Sequence, residues 1–234
     1  MIQRKQAEFR YDHHTINSDE FLVEDKSGEE LLKIIVPKII CSEQNTFNIH
    51  SYKGIGRIPK NLSSKDNASK TTLLSKLPGL LKGFENSYKS HIDYSIIVVC
   101  DLDKNDFLCF LNELKSVAKQ SVQRTSNIFF CIAIEEMEAW LLGEIVAIIK
   151  SYPQAKLTIL QSYENDSICD TWETLADAIY KGGAKALKLH KDYYSIGAIK
   201  IEWAKNIPSH MDIEQNISPS FVHFKNTIKQ ICLG

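Results

Sequence analysis

Apolar residues follow two rhythms along this chain. Short, nearly unbroken runs occur at residues 20–23, 95–100 and 128–134, and Phe47-Asn48-Ile49-His50-Ser51-Tyr52 alternates. Continuous β-branched and aromatic runs of this length are what strands look like when a parallel sheet is covered on both faces. Between the runs the spacing changes to three and four. Leu31, Leu32, Ile35, Val36 and Ile39 form one stripe, preceded by Ser27-Gly28-Glu29-Glu30, which has the form of a capping box with Ser27 and Glu30 as partners. Residues 70–88 predict a helix broken near Pro78-Gly79. Residues 105–120 predict one with Phe107, Leu108, Leu111, Leu114 and Val117 inward, and 136–150 one striped by Met137, Leu141, Ile145, Ile148 and Ile149. The polar stretch 61–70 reads as a mobile loop.

Strands alternating with helices predict a mostly parallel α/β sheet with right-handed crossovers and helices on its faces. Beyond Pro153 the strand signals fade. Helices are expected at 171–180, 183–190, 194–206 and 219–231, the last opened by Ser218 as cap and Pro219 as first residue. The expected organisation is an α/β domain over 1–152 and a helical C-terminal extension over 153–234 packed on it.

Composition narrows the choices. With 28 basic and 29 acidic residues in 234, the net charge is −1, so no overall field draws the chain to nucleic acid or an anionic membrane. Six scattered cysteines without a C-x-x-C pair fit reduced core thiols. The polar start of the chain and the lack of any run near the ~20 apolar residues a bilayer requires predict a cytoplasmic protein with no membrane segment.

The chemistry lies where the strand runs end. Residues 21–25 end in Glu24-Asp25, residues 96–103 in Asp101-Leu102-Asp103, and residues 129–138 in Glu135-Glu136-Met137-Glu138. If the strands are neighbours, these acids meet at the carboxyl end of the sheet, and crowded carboxylates call for a divalent cation. Much of the charge has a simpler use. Asp25, Glu29 and Glu30 suit the start of the following helix, and Asp106 or Asn105 suits a cap. Asp101 and Asp103 alternate across Leu102, so in an extended segment both face one side. Glu138 falls within the apolar stripe of its helix and therefore faces inward, where it needs a metal, a basic partner or a proton. Glu136 falls on the wetter side, and Glu135 is undecided. Lys53-Gly54-Ile55-Gly56-Arg57 follows a strand and can present amides and two cations to a phosphate. Lys181, Lys185, Lys188 and Lys191 form a strip read as solvated, with nucleic-acid contact the minority reading. The histidines, His13-His14 included, show no ligand spacing.

The order of these motifs resembles the Toprim catalytic fold of topoisomerases, primases and OLD-type nucleases: a strand ending in Val23-Glu24, a helix, and later a strand ending in Asp101-x-Asp103. Together, the segments 23–29, Glu135-Glu136-Met137-Glu138-Ala139-Trp140-Leu141-Leu142 and Asn216-Ile217-Ser218-Pro219-Ser220-Phe221 resemble a Toprim-related bacterial family associated with ABC-type ATPases in phage-defence loci. The chain departs from the Toprim pattern in having Asp25 where glycine usually follows the strand-end Glu, and in a third acid shifted to Asp106. The resemblance implies a metal-dependent nuclease acting on DNA or RNA. Glu24 would be the general acid or base, Asp101 and Asp103 would bind Mg²⁺ or Mn²⁺, and Glu138 would be a further metal carboxylate; Lys53 and Arg57 are the phosphate-binding candidates. It further implies an ABC-type ATPase as gating partner and leaves room for a homo-oligomer. The alternative is a Toprim-shaped binding or regulatory subunit whose acids are vestigial.

Overall fold

The computed structural model describes residues 17–40, 45–59, 71–88, 94–167, 170–190 and 193–233. Four parallel strands, β1 (Asn17–Val23), β2 (Asn45–Ser51), β3 (Tyr94–Asp101) and β4 (Ile128–Ala133), form one sheet in the order β2-β1-β3-β4. The two central strands, β1 and β3, are the most deeply buried. From Phe21 to Val23 and from Ile96 to Cys100 every side chain is essentially inaccessible. Burying side chains of this size is worth roughly 1.5–3 kcal/mol each.

Helices cover both faces. On one lie α2 (Leu73–Ser87) and α3 (Phe107–Ser121), packed on Leu22, Ile96, Val98 and Ile132. On the other lies α1 (Lys26–Ile39), joined by the C-terminal helices α9 (Tyr193–His210) and α10 (Pro219–Leu233), which share a core with Phe21, Val23, Ile97 and Val99. The short helices α4 (Glu138–Leu142), α5 (Ile145–Ser151), α6 (Leu157–Ser162), α7 (Thr171–Ile179) and α8 (Gly183–His190) connect β4 to that layer. Docking of α9 on α1 is reinforced by Lys38, whose ammonium donates to the carbonyls of Pro208 and Met211, both at 2.7 Å.

Several local expectations change. Residues 73–87 form one uninterrupted helix: Pro78 forfeits an amide donor without ending it, and Leu74, Leu77 and Leu81 anchor it to the sheet. On α3 the buried face runs through Phe110, Leu114, Val117 and Ala118, while Phe107 and Leu108 are exposed. The expected helix over 136–150 is two helices separated at Gly143-Glu144, which re-phases the stripe so that Ala147 and Ile148 are buried and Ile149 is partly exposed. Asp25, not Ser27, caps α1, its carboxylate accepting from the Gly28 amide at 2.9 Å and the Ser27 hydroxyl at 2.8 Å; Glu30 pairs with Lys26 and Lys33 instead of closing a capping box. Ser218 does precede Pro219 as expected, and accepts from the Phe221 amide at 3.3 Å. Cys100 and Cys131 are core thiols, whereas Cys109 is exposed. The stretch 61–70, His13-His14, Cys41, Cys169 and Lys191 lie outside the described residues. Among the described residues, no helix is long and apolar enough to cross a membrane.

Candidate functional site

Strand order reverses between β1 and β3, because β2 is laid down on one side of β1 and β3 on the other. In open parallel sheets the crevice outside the carboxyl ends at such a reversal is where ligands bind. Glu24 leaves β1 there and Asp101 ends β3 beside it, with Val23 paired to Val99 and Asp101 to Ala133. The Asp101 amide donates to Glu24 Oε2 over a long 3.5 Å.

Two glycines bring distant segments to this point. A Cβ on Gly28 would stand 2.5 Å from Val23 Cγ2 and 2.9 Å from Met137 Sδ. Only glycine lets the first turn of α1 lie against both the end of β1 and the segment carrying Glu138. Gly143 does the same at the far end of α4, where a Cβ would meet Asn216 Oδ1 at 2.3 Å and the Ser218 nitrogen at 2.9 Å. There Asn216 Nδ2 donates to the Trp140 carbonyl at 2.7 Å, the Ile217 amide to the Gly143 carbonyl at 3.0 Å, and Trp140 Nε1 to Ser220 Oγ at 2.9 Å. The segments 135–142 and 216–221 thus clasp each other, and the clasp fixes where α4 begins.

Glu138, the first residue of α4, is 5% exposed and faces inward as its stripe predicts. It meets a cation: Lys200 Nζ on α9 stands 3.2 Å from Glu138 Oε2 and 3.6 Å from Glu136 Oε1. Glu136 is therefore part of the cluster and not an ordinary solvated acid. The correction follows from the chain path, since residue 135 adopts a φ of 60° and the helix starts only at 138. Glu135 turns away, accepting from the Thr171 amide at 2.9 Å at the start of α7.

Asp103 also departs from expectation. It has a φ of 51°, outside the extended region, and its side chain is exposed, while Asp101 Oδ1 is buried with no hydrogen-bond partner among the described residues. The two do not share the face that strict alternation requires, although the Asp103 charge still reaches Glu24. Asp106 caps α3, accepting from the Cys109 amide at 2.9 Å. Lys53 and Arg57 are exposed on the loop after β2. The backbone of that loop is tied to the site, because the Gly54 amide donates to the Glu24 carbonyl at 3.0 Å. Gly54 and Gly56 have φ of 89° and 71°, which glycine supplies without strain. On the expected basic strip, Lys188 pairs with Glu173 at 2.9 Å and lies over the Trp172 ring.

The electrostatics are those of an under-compensated anionic pocket. Burial, then the charges of Asp25 and Asp103, push Glu24 up to about 7. Burial and Glu138 push Glu136 up to about 7 against the pull of Lys200. Burial and Glu24 drive Asp101 well above the usual carboxylate range, and burial raises Glu138 despite Lys200. Burial would lower Lys200, but Glu138, Glu136, Asp101 and Asp25 outweigh it and hold the ammonium protonated. Lys200 thus offsets Glu138, Glu136 and, from further away, Asp101, while Glu24 is left without a cation among the described residues.

Their donors are oxygen only, which suits a hard ion such as Mg²⁺ or Mn²⁺. Asp101 Oδ1 is a ligand oxygen with no hydrogen-bond partner among the described residues. As placed, however, no three His, Cys, Asp or Glu residues among the described residues enclose an ion. Glu136 and Lys200 were the members that sequence reasoning missed. A signal for Lys200 existed: it occupies the Ile196, Lys200, Trp203, Ala204, Ile207 stripe of α9, the same inward placement that marks Glu138.

A family model described as a domain of unknown function, DUF4276, matches residues 23–229, and the chain belongs to that family. No curated protein and no solved structure matches it.

Proposed function

We propose that this member of the DUF4276 family is a Toprim-like, metal-dependent nuclease that hydrolyses phosphodiester bonds of DNA or RNA, gated by an ABC-type ATPase partner in phage defence. The observation that carries the reading is the pairing of Glu24 and Asp101 at the β1/β3 reversal, with a buried Asp101 oxygen that no group among the described residues satisfies. In this reading Glu24 and Asp101 hold the ion, with Asp103, whose charge reaches Glu24, and Glu138 as further carboxylates at the edge of the same pocket. Bound Mg²⁺ or Mn²⁺ would supply Lewis-acid stabilisation of the phosphoryl oxygens and an activated water. Glu24 then moves the proton, and the exposed Lys53 and Arg57 draw the phosphate backbone toward the Glu24 side of the sheet. The near-neutral charge of the whole chain favours a partner that delivers the substrate.

Purified protein, alone or with the ATPase partner, is expected to nick nucleic acid with Mg²⁺ or Mn²⁺. Glu24→Ala and Asp101→Ala are each expected to reduce the rate at least ~100-fold. Cleavage that survives both substitutions overturns the assignment.

A second reading, a Toprim-shaped binding or regulatory subunit, is favoured by one observation: Lys200 already neutralises part of the acid cluster. Titration with Mn²⁺ separates the two, because a vestigial site has no carboxylate-dependent affinity.

A further inference from the structure

The acid cluster has two unlike sides. On one, Glu136 and Glu138 face the Lys200 ammonium at 3.6 and 3.2 Å. On the other, Glu24 and Asp101 have no ion pair among the described residues; Lys200 reaches Asp101 only through its longer-range field. The crevice against Glu138, walled by Gly28, Leu31, Met137, Leu141 and Ala204, holds about 10 Å³. That is room for one water at most and not for a hydrated ion. An ammonium seated 3.2 Å from Glu138 and 3.6 Å from Glu136 puts a positive charge where a second divalent ion would lie, and the two cations repel.

We infer that Lys200 is a tethered counter-cation occupying the Glu136–Glu138 side, so that the cluster takes up a single divalent ion, at Glu24 and Asp101, and a second only when the ammonium leaves. This rests on the metal-binding reading above and adds its stoichiometry and the residue that sets it. The position of Lys200 suits such a role. Trp203, Ala204 and Ile207 anchor the C-terminal part of α9 in the core, whereas residues 196–201 are only half buried or exposed. Lys200 is the first inward group beyond that anchor, and its side chain keeps 18% of its exposure. Movement of this end of α9 withdraws the cation without unpacking the sheet, which gives a bound partner a means of converting a one-ion site into a two-ion site.

Counting Mn²⁺ bound to the full chain by calorimetry and electron paramagnetic resonance at pH 8 tests the inference. The wild-type protein is expected to bind one ion, lost in Asp101→Asn, and Lys200→Gln two, with dipolar coupling between them. Adding Glu138→Gln to Lys200→Gln should remove the second ion only. Two ions in the wild type, or one ion of unchanged affinity in Lys200→Gln, overturns the role of Lys200 while leaving the metal site standing. No carboxylate-dependent ion in either protein removes the metal reading itself, and this inference with it. Should Lys200→Gln fail to fold, Glu138→Gln alone decides. Affinity retained within about threefold agrees with a Glu138 engaged by Lys200, and a loss of about tenfold or more shows that Glu138 ligates the ion beside it.

Discussion

Glu20 and Glu24 lie four residues apart on and just after one strand, and their surroundings drive them in opposite directions. Glu20, 2% exposed, accepts from Asn48 Nδ2 at 3.0 Å, from the Tyr88 hydroxyl, and pairs with His50 Nε2 at 2.6 Å. Burial would raise it, but His50, Tyr88 and Asn48 outweigh burial and leave it below its ordinary value. Glu24 has backbone contacts from Asp101 and Ile55 but no side-chain partner among the described residues, and burial with the charges of neighbouring acids raises it to about 7. The first carboxylate is completed by the fold. The second, with Asp101, is not, and an anionic site that the protein leaves unfinished is a candidate for a ligand that finishes it.

The comparison makes opposite demands on similar substitutions. The largest expected effect is at the cation the acid cluster depends on: Lys200→Met, in chelator at pH 8, should cost about 3–5 kcal/mol of stability by leaving buried carboxylates unpaired. Saturating Mn²⁺ should then recover more of the melting temperature than it adds to the wild type. Next, Glu20→Gln should cost roughly 1–3 kcal/mol, because hydrogen bonds to a buried charge are lost, and denaturant melts should show it with Mn²⁺ binding intact. Asp101→Asn should instead raise metal-free stability at pH 8 by about 1 kcal/mol through relief of repulsion. If Glu20→Gln and Asp101→Asn change stability in the same direction, the contrast between the two regions is wrong.

A slope with pH is expected as well. Glu24 and Glu136 titrate at about 7 in the folded protein and at ~4.3 when unfolded, so the folded state binds more protons between those values. Their contribution is complete below pH ~4.3 and is lost as pH rises toward 7. Raising of His50 by Glu20 acts with the same sign at higher pH. Glu29 is held down to about 2, its burial outweighed by Lys26, Lys33 and Ser51, and acts only at lower pH, where stability falls on acidification. Thermal melts in chelator should therefore peak near pH 4–5 and decline toward neutrality. Glu24→Gln combined with Glu136→Gln should flatten that decline; an unchanged slope would assign it to other groups.

Much of the architecture is legible in the sequence because burial on both faces writes itself as unbroken apolar runs. The strand runs at 95–100 and 128–134 and the helix at 183–190 fall within a residue or so of β3, β4 and α8. Glu138 is legible for the same reason, since a carboxylate within an apolar stripe must face inward. What misleads is the assumption that a periodicity continues. The positive φ at Asp103 and Glu135 and the break at Gly143 each redirect side chains that ideal strand or helix phasing places elsewhere. Asp103 loses its shared face with Asp101 and Glu136 gains a place in the pocket. Lys200, more than sixty residues after Glu138, is visible as an inward cation, but no local pattern says which acids it meets.

A crystal soaked in Mn²⁺ and measured at the manganese absorption edge decides whether Glu24 and Asp101 hold the ion. An anomalous peak is expected at about 2.1–2.3 Å from carboxylate oxygens of Glu24 and Asp101. Lys200 should still be seated between Glu136 and Glu138, with no peak beside Glu20. An empty β1/β3 crevice at saturating Mn²⁺, or an ion bound at Glu20 and His50 instead, would contradict that placement of the ion.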